Sequence, residues 1–200
     1  MLVIIDYGLG NLKSLTNALD KLKIENTISS DYNVITNAKK LILPGVGAFP
    51  DGKRLLKEKK LDSLIIDLVN NKKPILGICL GMQLLFDKSY EYKLTKGLGL
   101  LKGEVVKFDN QLLVPHNGFN KLHFKEENKL YMNIDDCFVY FLHSYYVKST
   151  SSEIVSSYTN YGLRFVSSVK HNNIYGVQYH PEKSGDIGLK ILRNYWEECE

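Results

Sequence analysis

The chain has 200 residues, 44% of them hydrophobic and 24% charged, with a formal net charge of +4. That length and balance suit one domain with a full core, held without disulfides or metal. The positive charge is modest and mostly lysine, with Arg54, Arg164 and Arg193 the only arginines, which argues against nucleic-acid binding because the guanidinium fork is scarce.

In chain order, Leu2-Val3-Ile4-Ile5 is a continuous apolar run, the pattern of a strand buried on both faces of a parallel sheet. Tyr7-Gly8-Leu9-Gly10 turns the chain, and Asn11 is placed to cap a helix whose Leu12, Leu15, Leu19 and Leu22 share one face. Leu41-Ile42-Leu43 predicts a second strand, ended by Pro44-Gly45-Val46-Gly47. The lysine-rich run 53–60, which also holds Glu58, reads as the wet face of a helix, and Leu61, Leu64, Ile65 and Leu68 mark another. Pro74-Ile75-Leu76-Gly77-Ile78 predicts a third strand, with Met82, Leu84, Leu85 and Phe86 starting a helix after Cys79. This alternation implies a parallel sheet with right-handed crossovers.

From about Gly97 the pattern changes to strands with short turns. Residues 104–108 and 112–114 flank Asp109-Asn110 as a predicted hairpin. Further strands are predicted over 138–142, 164–166 and 174–177. A helix over 185–199 closes the chain, with Ile187, Ile191, Leu192 and Tyr195 facing inward. There is no repeat or linker, so one α/β domain over residues 1–200 is expected. No apolar run reaches membrane-spanning length, and the start has no basic leader. The three cysteines, Cys79, Cys137 and Cys199, lack paired spacing. The expected setting is therefore a reducing one, the cytosol.

Gly77-Ile78-Cys79-Leu80-Gly81 is the cysteine counterpart of Gly-x-Ser-x-Gly, at a predicted strand-to-helix junction. A tight turn there exposes the sulfur, the start of a helix favours an anion, and the next N–H can donate to an oxyanion. On its own the motif also fits a buried structural thiol. Tyr179-His180-Pro181-Glu182 places a carboxylate two positions from a histidine. In an extended chain those side chains share a side, so Glu182 can orient His180 and leave its other ring nitrogen for the thiol proton. Alone, the pair reads equally as a surface histidine beside a solvated glutamate. Pro44-Gly45-Val46-Gly47 permits positive φ and an inward N–H, or forms an ordinary turn.

Together, the segments 41–49, 77–83 and 176–184 resemble the triad-type (class I) glutamine amidotransferases. Asp6-Tyr7-Gly8-Leu9-Gly10-Asn11, Ser14 and the segment 140–146 make the chain similar to the amidotransferase subunits of imidazole glycerol phosphate synthases. The resemblance spans essentially the whole chain, with no appended synthase domain. It implies a flavodoxin-like α/β fold with a mostly parallel central sheet, flanking helices and an added antiparallel strand region. It implies Cys79 as nucleophile, His180 as base and Glu182 as its orienter, with Gly47 and Leu80 giving N–H groups to the oxyanion. Gly45, Gln83, His143, Ser144 and Tyr145 would bind glutamine. Ammonia would pass to a (β/α)8-barrel cyclase subunit that forms imidazole glycerol phosphate and AICAR in histidine biosynthesis, the two chains making a heterodimer. Asn11, His116, Asn117, Phe119 and Tyr140 would lie at that interface. No cofactor, metal, nucleic acid or membrane is expected.

One segment departs from the family. Pro115-His116-Asn117-Gly118-Phe119-Asn120 stands where Pro-His-Met-Gly-Trp-Asn is common. It leaves open a second partner, an enzyme that builds acetamidino groups on surface-glycan sugars. A thiol peptidase or deglycase on the same elbow, and a silent regulatory subunit, are further alternatives. Cys137 reads as a small core residue and Cys199 as exposed and incidental. His123 and His171 lack metal-ligand partners in sequence, and Lys13 replaces the third glycine of a dinucleotide fingerprint after Gly8-Leu9-Gly10.

Overall fold

The apolar runs form the centre of one large sheet in the computed structural model, which describes residues 1–109, 112–125, 128–135, 137–149 and 151–199. Strands β1 (Leu2–Ile5), β2 (Asn26–Ser29), β3 (Lys40–Leu43) and β4 (Ile75–Ile78) are connected by helices α1 (Leu12–Lys21), α2 (Tyr32–Thr36), α3 (Phe49–Glu58) and α4 (Leu61–Asn70). After β4 come α5 (Leu80–Leu84), β5 (Phe86–Ser89), β6 (Thr95–Lys96) and β7 (Leu101–Lys107). Then follow β8 (His116–Lys121), β9 (His123–Phe124), β10 (Phe138–His143) and β11 (Tyr145–Ser149). The chain ends with β12 (Val155–Tyr161), β13 (Leu163–His171), β14 (Ile174–Val177) and α6 (Gly185–Glu198).

Among the described residues the sheet runs β2-β1-β3-β4-β14-β13-β11-β7-β5-β6, with β12 on β13 and β9 on β12. From β2 to β14 every pairing is parallel; from β14 to β11 and on to β7 the neighbours are antiparallel. Strands β8 and β10 form a separate antiparallel pair. The parallel strands β1, β3, β4 and β14 are buried throughout, because alternate residues feed two cores. Val3 and Ile5 pack with Leu56, Leu61 and Ile65 of α3 and α4 on one face. Leu2 and Ile4 pack with Leu15, Leu19, Ile191 and Tyr195 of α1 and α6 on the other. Each fully buried Leu or Ile contributes about 1.5–3 kcal/mol, so this double burial is what makes the strands continuous apolar runs.

Four expectations change. The helix after Cys79 lasts only five residues, and Phe86 begins β5. Met82, Leu84, Leu85 and Phe86 are all fully buried, and an apolar run buried on every side has no period to separate helix from strand. The predicted hairpin at 104–114 does not form. Strand β7 pairs with β11 and β5, and residues 112–114 make no strand, Leu112 N–H turning back to the Asp109 carbonyl at 3.1 Å. Asn110, half of that predicted turn, lies outside the described residues. Asn11 occupies the cap position of α1 without a capping hydrogen bond. Cys199 is buried rather than exposed. The reason is Lys40, itself 4% exposed, whose ammonium binds the Tyr195, Trp196 and Cys199 carbonyls and satisfies the C-terminal end of α6.

Candidate active site

Three adjacent parallel strands end in register, Leu43 beside Gly77 and Ile78 beside Val177. The segments that follow them are therefore delivered to one edge of the sheet, the edge where open α/β sheets bind ligands. They are Pro44-Gly45-Val46-Gly47 after β3, Cys79 after β4, and Gln178-Tyr179-His180 after β14. The strand order, with β14 beside β4, thus brings together residues a hundred positions apart.

Cys79 holds φ +54° and ψ −111°, a conformation rare for any residue with a side chain. Its N–H is bound to the Val177 carbonyl at 2.8 Å and its carbonyl receives Gln83 N–H at 3.1 Å, so strand and helix both grip the turn. The flanking glycines are required by close approach. A Cβ on Gly77 would lie 2.7 Å from Met82 backbone, and one on Gly81 only 1.8 Å from the Leu43 carbonyl oxygen. Leu80, the first helical residue, has an N–H with no intrahelical acceptor.

His180 shares a cavity wall with Cys79 and is hydrogen-bonded to Glu182. Its Nδ1 is 2.9 Å from Glu182 Oε1, with both side chains about 96% buried. The bond does not come from an extended chain, as the sequence suggested. Residues Pro181–Lys183 form a 3-10 turn that curls the carboxylate back beneath the ring. Burial lowers the His180 pKa, but the hydrogen bonds and charges of Cys79 and Glu182 outweigh it and raise the pKa to about 10. Glu182 Oε2 is also buried and has no hydrogen-bond partner among the described residues.

A cavity of about 240 Å³ opens beside the sulfur. Gly47, Leu80, Gln83, His143, Ser144 and Tyr145, all expected from sequence, line it together with Cys79 and His180. Gly47 holds φ +102° with open space where a Cβ would be. Gly45 lies elsewhere, wedged so closely that a Cβ would meet Tyr7 Oη at 2.5 Å and Leu80 Cβ at 2.9 Å. It faces a small gap shared with Asn11, His180 and Glu182.

Sequence reasoning missed two lining residues. Glu91 is 8% exposed and accepts the Phe49 N–H at 2.7 Å. Burial, opposed by that hydrogen bond and aided by Asp51, raises its pKa. Lys183 stands at the rim, its ammonium 5.5 Å from the Tyr140 ring centre. Glu91 sits in no pattern that sequence alone would flag, and Lys183 lies in the 176–184 segment without a role assigned to it there. Gln178, between β14 and His180, is fully buried and lies in the same segment, again without a role assigned from sequence.

The five residues expected at an interface divide. Asn117, Phe119 and Tyr140 meet on the β8–β10 pair. Tyr140 Oη donates to Asn117 Oδ1 at 2.8 Å, and the Phe119 ring, 61% exposed, lies edge-on to Tyr140. Phe138 and Leu142 are exposed on the same pair. His116 is buried beneath it, stacked against Phe141 and Tyr161, with Nδ1 3.3 Å from His143 Nε2. Burial lowers its pKa to about 4. Asn11 lies apart at the small gap. The β8–β10 pair is tied to the site, since His180 N–H donates to the Tyr140 carbonyl at 2.9 Å and Tyr140 N–H to Ser184 Oγ at 2.9 Å.

The family model for "Glutamine amidotransferase class-I" matches residues 3–198. An imidazole glycerol phosphate synthase subunit HisH from Geobacillus sp. (strain WCH70) is 48% identical, covering 98% of this chain and 95% of that one. The protein of the same name from Aquifex aeolicus (strain VF5) is 46% identical, covering 99% and 97%. In fold, a crystal structure titled glutamine amidotransferase superposes with a TM-score of 0.77 at 20% identity, covering 98% and 97%. PurLQS from Thermotoga maritima superposes with a TM-score of 0.76 at 18% identity, covering 98% and 96%.

Proposed function

The chain belongs to the class-I glutamine amidotransferases, and we propose that it is the glutaminase subunit of an imidazole glycerol phosphate synthase, releasing ammonia for histidine biosynthesis. The observation that carries the chemistry is the buried Cys79–His180–Glu182 chain at the wall of an amino-acid-sized cavity. The relatives at 48% and 46% identity over nearly the whole chain favour the histidine route over supply to glycan-sugar synthesis.

In this reading the Cys79 thiolate attacks the side-chain amide carbon of glutamine. The carbonyl oxygen takes the negative charge and is met by the N–H groups of Leu80 and Gly47. His180 gives its proton to the amide nitrogen, the C–N bond breaks, and ammonia leaves a glutamyl thioester. Water then attacks, His180 accepts its proton, and glutamate departs as the sulfur is regenerated. Glu182 keeps the ring of His180 oriented, as a buried carboxylate whose described hydrogen-bond partner is that ring. Glu91 supplies a carboxylate for the α-ammonium of glutamine, fixed by the Phe49 N–H. No metal or cofactor is called for.

The exposed Phe119, Phe138 and Leu142 on the β8–β10 pair give a barrel-type partner subunit an apolar landing area, with Lys183 at its edge beside the cavity. Any push on that pair reaches the base through the Tyr140–His180 backbone bond. The test is transfer of label. Glutamine carrying ¹⁵N in its amide should label the imidazole product when this chain and the barrel subunit are mixed, with glutamate release rising when both partner and acceptor are present. Unlabelled product, with glutamate released at one rate regardless of partner, would refute the assignment.

A pH dependence follows from His180. Its pKa in the folded protein is raised from 6.5 to about 10, so the proton that ammonia must receive is retained across neutral pH and lost only as pH rises through about 10. The expected kcat at saturating glutamine, where the substrate's α-ammonium is already held, is flat on the alkaline side of neutrality and falls above about pH 10. A fall centred near 6.5 would mean that His180 is not held by Cys79 and Glu182 in this way.

A further inference from the structure

We propose that Gln178 is a further catalytic residue, donating a side-chain hydrogen bond to the Cys79 sulfur and favouring its thiolate form. The proposal rests on the reading of Cys79 as nucleophile.

The argument starts from a backbone atom. The Tyr145 carbonyl can only accept hydrogen bonds, and Gln83 Nε2 approaches it at 2.9 Å. The amino group of Gln83 therefore points toward Tyr145. The same nitrogen lies 2.9 Å from Gln178 Oε1, so its two hydrogens are both engaged. Gln178 must consequently turn its oxygen to Gln83, which sends its own amino group the other way, 3.6 Å from Cys79 Sγ. The opposite orientation of Gln178 would set amino group against amino group at Gln83 and lone pairs against the sulfur. Gln178 is fully buried and Gln83 is 5% exposed, so neither mismatch could be relieved by water.

His143 reinforces the same polarity. Burial lowers its pKa to about 3, so the ring is neutral, and its Nδ1 at 2.9 Å from the Tyr145 carbonyl must carry the hydrogen. One carbonyl thus fixes a histidine tautomer and two amide orientations, and the last of them aims an N–H at the reacting atom. The backbone of Gln178 is anchored as well, its N–H bound to the Ser167 carbonyl at 2.9 Å.

The chemical effect is directional. The donor on sulfur stabilises an anion more than a neutral thiol, whereas the Leu142 carbonyl approaches the sulfur only at a long 3.9 Å. Other titratable groups around the sulfur are His180 with Glu182 behind it, the neutral His143, Tyr7 beneath the elbow, and Glu91, Tyr145 and Lys183 on the cavity wall. Gln178 is uncharged, so its contribution persists when those groups change protonation.

The test is the rate at which iodoacetamide alkylates Cys79 in the full chain across pH, with Cys79→Ala subtracted to remove Cys137 and Cys199. Gln178→Met keeps the bulk and removes the donor. Its alkylation should be about tenfold slower than wild type at neutral pH and equal to wild type at high pH, with kcat falling about as much and KM retained. A role in packing alone would slow alkylation evenly at every pH or leave it unchanged, and either result overturns the proposal. Should Gln178→Met not fold, Gln178→Glu carries the same measurement. It keeps the shape and the bond from Gln83 but faces the sulfur with an acceptor, so its deficit at neutral pH should exceed tenfold; an unchanged profile again overturns the proposal. Glutamate release by Cys79→Ala at the wild-type rate would instead remove the nucleophile reading, leaving the two failures distinct.

Discussion

Cys79→Ala is expected to lower glutamate release from glutamine by at least about a thousandfold, the scale seen when a nucleophile is removed from a hydrolytic triad. The residual rate would come from the oxyanion donors and from substrate binding. The variant should still fold, because what holds the elbow is backbone. The Cys79 N–H bond to Val177 and the Gly77 and Gly81 contacts do not involve the thiol. Alanine keeps the unfavourable φ of +54°, so its unfolding midpoint should match wild type closely. Cys79→Gly should be equally inactive yet more stable by about 1 kcal/mol, since glycine accepts that φ without strain. Glutamate release and thermal unfolding of the three proteins check both statements. Activity retained in Cys79→Ala would move the nucleophile elsewhere; a destabilised Cys79→Gly would mean that the turn stores no strain.

That strain marks the border of what the sequence could reveal. The buried strands were legible because burial on both faces leaves no polar position in Leu2–Ile5 or Ile174–Val177. The elbow was legible because two glycines flanked a cysteine at a strand end. His180 and Glu182 were legible as a pair, but the 3-10 turn that joins them was not, since proline at 181 suits both an extended chain and the first position of a helical turn. The meeting of the three loops depends on β14 lying beside β4, a pairing between segments about a hundred residues apart that no local pattern encodes.

The residues that escaped are those whose role depends on what surrounds them. Gln178 carries a polar side chain at the end of an apolar strand, and only its partners distinguish a core amide from a donor to sulfur. Glu91 lies in a loop between short strands, where a carboxylate is unremarkable until the Phe49 N–H is seen to hold it inside. Gly45 was expected from the resemblance to bind glutamine, and what sequence did not show is that its missing side chain makes room for Tyr7 and Leu80. Cys199 was read from its position near the chain's end, whereas Lys40 draws that end into the core.

The other large effect is expected at Gly81. A Cβ there would stand 1.8 Å from the Leu43 carbonyl oxygen and 2.7 Å from the Leu43 carbonyl carbon. Both are backbone atoms of a buried central strand, so no side chain can move aside. Gly81→Ala must push α5 away from the end of β3, or push Leu43 and Pro44 toward the cavity. Overpacking of this kind costs about 3 kcal/mol or more, which for a chain of this length lowers the unfolding midpoint by roughly 6–12 °C. Activity should fall further than stability accounts for. The displaced elements carry the sulfur on one side and the Val46-Gly47 turn on the other, and a shift of about 1 Å between reacting groups costs about a hundredfold. Gly52→Ala is the control. Its Cβ would meet only the ends of the Leu80 and Leu84 side chains, at 3.2 Å, within α3, where alanine is the better helix former. It should change the midpoint by less than about 3 °C and leave glutamate release near wild type. Equal losses in the two variants would show that close backbone approach at the elbow is not what Gly81 provides. A loss confined to Gly81→Ala would tie the geometry of the nucleophile to one missing methyl group.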